Sequence, residues 1–132
     1  MKHLLWLILA FSLFISCDDE TNSQDEVGIE ELIIGRWHLS GFDDRVLYEF
    51  TENYRYTIYG ENWEFGGLET AIPNPNPWFI ENDKIHMDLH FGNELSAEYV
   101  FKCNNQVLDL YLDGELHTTL YRENYSLMNC NE

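Results

Sequence analysis

His86, Asp88 and His90 stand at alternate positions of the run Ile85-His86-Met87-Asp88-Leu89-His90-Phe91. Alternate residues of a β-strand share one face. Two imidazoles and a carboxylate would therefore project together, a donor set that suits zinc or a similar metal. Positions two apart on a strand are separated by about 7 Å, so a site would need further donors from a neighbouring strand. The competing reading is a wetted polar face, opposite Ile85, Met87 and Leu89. Catalytic spacing is otherwise absent: the chain holds no G-x-S-x-G elbow and no phosphate-cradling glycine loop. Its 24 acidic residues make any chosen acid–base pair arbitrary. The chain reads as non-catalytic, with no cofactor expected. The remaining reactive groups are three cysteines, Cys17, Cys103 and Cys130.

Cys17 ends a segment with its own logic. Lys2 supplies a positive start, and Leu4 to Ile15 is apolar except at Ser12. About a dozen apolar residues fall short of the ~20 that a spanning helix needs, which marks residues 1–16 as a secretory signal peptide. Phe14-Ile15-Ser16-Cys17 resembles the lipobox of bacterial lipoproteins, with Ser16 at the small position, Cys17 at the obligatory one and Phe14 in place of the usual Leu. The resemblance implies removal of residues 1–16, a diacylglyceryl group on the Cys17 thiol and an acyl chain such as palmitate on its new amine. Several acyl chains together hold a protein stably on a membrane, where one binds marginally. Asp18-Asp19-Glu20 resembles the export signal of some surface lipoproteins, which points to the outer membrane. Residues 17–28 then form a lipidated, acidic tether, and residues 29–132 a single domain.

Charge limits the partners. The leader carries Lys2 and no acid, so its loss takes the formal charge from −17 to −18. Phosphate backbones repel such a chain, which argues against nucleic acid. Anionic lipid repels it too, leaving attachment to the acyl chains. The residues are nonetheless 45% hydrophobic and 15% aromatic, enough for a folded core. With Cys17 lipidated, Cys103 and Cys130 remain as an even pair in an oxidising compartment and are candidates for a disulfide.

Past a short helix predicted around Ile29, Leu32 and Ile33, the apolar period changes from helical to two. Trp37 and Leu39 begin it. Val46, Tyr48 and Phe50 follow, then Tyr54, Tyr56 and Ile58, then Ile85 to Phe91, Ala97 to Cys103, Leu108 to Leu112 and Leu116 to Leu120. Asn82-Asp83, Asn104-Asn105 and Asp113-Gly114 are turn pairs that tolerate positive φ. The fold expected is all-β: an antiparallel up-and-down meander of about eight or nine strands, closed into a barrel that leaves no edge exposed. Residues 66–77 break the rhythm with all three prolines and read as a long loop at one barrel end, a candidate lid or partner contact.

Gly35-Arg36-Trp37, opening the first strand straight after the helix, resembles the first motif of the lipocalins and lipocalin-like barrels. So does the hairpin Tyr48-Glu49-Phe50-Thr51-Glu52-Asn53-Tyr54-Arg55-Tyr56. The resemblance implies a structural pair at the closed end of the barrel, with Arg122 of the last strand covering Trp37 by a cation–π contact.

The inward aromatic set would be Tyr48, Phe50, Tyr54, Tyr56, Tyr99 and Phe101, with Met87. These residues either fill the barrel or line a cavity for a small hydrophobic or amphipathic ligand. The expected function is a membrane-anchored envelope lipoprotein that binds such a ligand. The alternative is an interaction module that engages another envelope protein through the 66–77 loop.

Overall fold

The computed structural model describes residues 27–131; the leader, Cys17 and the acidic tether as far as Glu26 lie outside the described residues. A single helical turn, α1 (Ile29–Ile33), leads into β1 (Gly35–Leu39). The change of direction falls on Gly35, whose φ of +123° disfavours any side chain. A β-carbon there would also lie 2.5 Å from Arg122 Nη1.

Seven further strands follow: β2 (Val46–Phe50), β3 (Tyr54–Tyr59), β4 (Asn76–Glu81), β5 (Lys84–Asp88), β6 (Glu94–Lys102), β7 (Val107–Leu112) and β8 (Glu115–Arg122). Each pairs antiparallel with the next, and β8 returns to β1 through Trp37↔Arg122, His38↔Tyr121 and Leu39↔Leu120. The eight strands thus form a closed barrel. Two of the hairpins turn as their residues dictate. Asn82 and Asp83 both take positive φ, as do Asp113 and Gly114, matching the twist of the flanking strands.

Register fixes which side chains face inward. Trp37 pairs with Tyr48, and Tyr48 with Thr57, so these three share the inner face. Phe50, Trp78, Ile85, Met87, Ala97, Leu108, Leu110 and Leu120 join Ile33 and Trp37 in one core, with Tyr99 and Phe101 packed against it. At the end that α1 covers, Trp37 Nε1 donates to Ile33 O at 2.7 Å. The Arg122 guanidinium lies 3.9 Å from the Trp37 ring centroid. It also donates to Leu32 O at 2.6 Å and Ile34 O at 2.8 Å. Carbonyls left without partners at the end of a helix are thereby satisfied.

The proline-rich segment does not lie across a barrel end as the sequence suggested. Arg36 Nη2 donates to Gly66 O at 2.9 Å, Phe65 packs edge-on against His38 at 5.4 Å, and Ile72 N bonds to Thr57 O at 2.9 Å. The segment is a strap on the outer wall of β1–β3. Leu47 and Ile58 point outward under it and are fully buried, outside the main core cluster. The pairing of β3 with β4 shrinks to Tyr54↔Pro77 and Arg55↔Asn76, because the chain departs into the strap between them.

Cys103 and Cys130 form a disulfide with a Cα–Cα separation of 5.6 Å. It ties the C-terminal segment to the turn after β6 and closes a loop of 27 residues. Loop-closure entropy for that length amounts to about 3.5 kcal/mol. Replacing both cysteines by serine is expected to lower unfolding stability by about 2–4 kcal/mol with the barrel retained. Chemical denaturation of the double variant, followed by far-UV circular dichroism, measures this.

Candidate ligand-binding site

The barrel is filled unevenly. Trp37, Trp78, Phe101 and Tyr99 crowd the half nearest α1; the Trp37 and Phe101 ring centroids are 6.4 Å apart, and those of Tyr99 and Phe101 6.2 Å. At the opposite end, where β1 leaves and β8 enters, a cavity of about 330 Å³ opens between the strands. Phe50, Met87, Leu95, Leu110 and Leu120 form its apolar lining, and Leu39, Ser40, Phe42, His117 and Thr118 its rim. Tyr48 and Arg55 supply the polar groups on one wall.

Arg55 reaches the lumen through register. It pairs with Phe50 on β2 and Asn76 on β4, both inward positions, so the β3 face opposite to the expected one looks inside. The guanidinium stacks on the Tyr48 ring at 4.2 Å, and Nη2 donates to Asn76 Oδ1 at 2.6 Å. Nε is buried without a partner. Burial pulls the Arg55 pKa below its ordinary value, with a smaller opposing effect from Tyr48. Guanidinium groups stay protonated even so.

Of the seven aromatic and methionine residues expected inside, Tyr48, Phe50 and Met87 line the cavity. Tyr99 and Phe101 face inward but belong to the filled half. Tyr54 and Tyr56 lie on the outer face, where Tyr56 pairs with Glu49 and their own rings meet at 6.3 Å. The alternation of β3 was misleading because both faces carry aromatic or apolar residues: the strap buries Ile58 on the outside as thoroughly as the lumen buries its own set. Arg55 was missed for the same reason.

The metal-like triad does not assemble. β5 ends at Asp88, and His90 sits in the following turn with φ of +68°. Its Nε2 lies 3.0 Å from Asn74 O. His86 stacks on Phe79 at 4.9 Å and meets Glu94 at 3.0 Å. Among the described residues, no three metal-ligating side chains gather to hold an ion.

No family model, curated protein or solved structure matches this chain. The chemistry of the cavity rests on its own residues: an apolar well, small in the ~300–1,000 Å³ range of ligand pockets, with one cation and one phenol on its wall.

A second polar cluster lies outside the barrel. Tyr121 donates a short hydrogen bond to Asp43, and the His38 ring stacks on Tyr121 at 5.1 Å. His38 Nε2 lies 3.2 Å from Glu123 O. The Tyr121 bond holds the Asp43 carboxyl below its ordinary 3.8, while burial and then Asp43 itself push the phenol well above 10. A depressed carboxyl contributes stability above its unfolded pKa and loses it as pH falls through the folded value. A raised phenol contributes stability below pH 10 and loses it as pH rises toward its folded value. Tyr121→Phe is therefore expected to cost about 0.5–1.5 kcal/mol at neutral pH, and less below pH 4 and above pH 10. Urea midpoints measured across that pH range for both proteins check it.

Proposed function

We propose that this chain is a lipid-anchored envelope protein whose barrel holds a small amphipathic ligand at its open end. The observation that carries the reading is the cavity of about 330 Å³, apolar in its depth and polar at one wall, in a barrel whose other half is packed solid. Pockets of that kind take a ligand with an apolar body and a polar group. The surroundings of the mouth support it. Phe42 and Phe91 are exposed on the β1–β2 and β5–β6 connections and Leu116 at the start of β8, all at the open end. Apolar side chains there give an amphiphile a surface to meet before the well. The strap reading is weaker as a lid, because the segment is bonded to the outer wall and leaves the mouth uncovered.

The anchor is carried by the sequence alone. An apolar leader ending at a lipobox-like cysteine, followed by acids, supports lipidation of Cys17 and placement at the bacterial outer membrane. Cys17→Ser is expected to abolish incorporation of radiolabelled palmitate and to move the protein from the membrane to the soluble envelope fraction. Palmitate labelling that survives the substitution overturns the anchor.

Native mass spectrometry of the protein purified from its own envelope is expected to show an added small-molecule mass. Thr118→Trp, which projects bulk into the cavity from β8, is expected to remove that mass while the thermal transition persists. An unliganded mass alone in the wild type, together with no uptake of added amphiphiles, overturns the binding function.

A further inference from the structure

The chain has 24 acidic residues and seven basic ones. Among the described residues Arg45 and Lys84 form no ion pair, so what sets a cation apart here is a donor that is buried as well as unpartnered. Arg36 is paired with Glu49 and Glu123, and Lys102 with Asp109. Arg122 is spent on the helix carbonyls and Trp37. Arg55, the one that faces the lumen, forms no ion pair with any described residue, although its Nε is fully removed from solvent. Its polar contacts, the Tyr48 ring and the Asn76 amide oxygen, are both neutral. A buried charge left without a counter-charge is destabilising, and proteins rarely keep one without a partner.

We propose that Arg55 is the anchor for an anionic head group, and that the ligand class is an aliphatic monocarboxylate. This rests on the binding function proposed for the cavity and names the chemistry of its occupant. A guanidinium presents parallel N–H groups that fit the two oxygens of a carboxylate. Asn76 holds Nη2 and Tyr48 holds the guanidinium plane, so the group is fixed before a ligand arrives. Phe50, Met87, Leu110 and Leu120 then receive the chain. One cation on the wall of a chain of formal charge −17 favours a single negative charge over a dianionic phosphate. The acidic exterior opposes approach at long range, but salt screens that repulsion, whereas a pair formed in the well is screened far less.

Calorimetric titration of the full chain with decanoate and with decan-1-ol tests this, since the two probes differ in the head group and share the tail. The expected result is a preference for decanoate of about tenfold or more, the range of a charge-assisted hydrogen bond. In Arg55→Gln the ratio of the two affinities is expected to fall to about one. A wild-type measurement needs no variant to fold: decanoate affinity should drop as pH falls through the carboxylate range, about 4 to 5, while that of decan-1-ol should not. Equal binding of both probes by the wild type overturns the anchor and leaves the cavity function standing. Binding of neither probe overturns both.

Discussion

Arg122 over Trp37 is the contact on which the rest of the barrel is built. It joins four things at once: the last strand, the first strand, the indole that plugs the closed end and the carbonyls of the single helical turn. A five-residue helix has little intrinsic stability, since nucleation fixes several residues for few hydrogen bonds. Here tertiary partners complete it. Trp37 takes Ile33 O, Arg122 takes the neighbouring carbonyls, and Ile33 is buried beneath them. Gly35 is required by the same contact, because the guanidinium occupies the space a side chain would need. The β1–β8 seam that closes the sheet is thereby locked beside the turn at Gly35.

With one end locked and plugged, the barrel has only one place for open volume. Aromatic rings of Trp37, Trp78, Tyr99 and Phe101 fill the half beside α1, whereas Met87, Leu95, Leu110 and Leu120, with Tyr48 and Phe50, line the other. Small barrels are normally filled by their own side chains. This one is filled by half, and the cavity opens where the four crowded rings end. The C-terminal disulfide and the pair of half-buried Lys102 with buried Asp109, with Thr119 bonded to the same carboxylate at 2.6 Å, brace the strands around the closed half. The mouth is left to short turns.

Much of this was legible in residue patterns. The period-two runs located seven of the eight strands and missed β4, whose first residues, Asn76 and Pro77, fell within the expected loop. The Asn-Asp and Asp-Gly pairs located two hairpins, and the even pair left after Cys17 indicated the Cys103–Cys130 bond that the structure contains. Gly35-Arg36-Trp37 and Arg122 pointed to the closed end. What escaped was a matter of faces. Period two shows that a strand alternates, but only the depth of burial says which face is the lumen. In Tyr54-Arg55-Tyr56-Thr57-Ile58-Tyr59 an external cover reverses the usual sign. The strap makes the outer wall a second apolar interior, so aromatic content marked the wrong face and hid Arg55. His90 was misplaced for a different reason: the alternation of apolar residues continues to Phe91 although the strand ends at Asp88, and neither His90 nor Phe91 carries the glycine that commonly accompanies positive φ.

The strap and the cavity are two consequences of one departure of the chain. After Tyr59 the chain does not turn back into β4 but crosses to the outside, where prolines and glycines suit irregular backbone better than a ladder. Had those residues formed a tight hairpin, β3 and β4 would pair along their length. Leu47 and Ile58 would then be bare on the outer wall. Instead the outer wall is covered, and the β3–β4 contact narrows to two residue pairs, one of them Arg55↔Asn76. The site of weakest strand pairing is thus where the lumen holds its unpaired cation. Few ladder bonds hold the sheet there, whereas the opposite end is held by the Trp37–Arg122 contact and the carbonyls it satisfies.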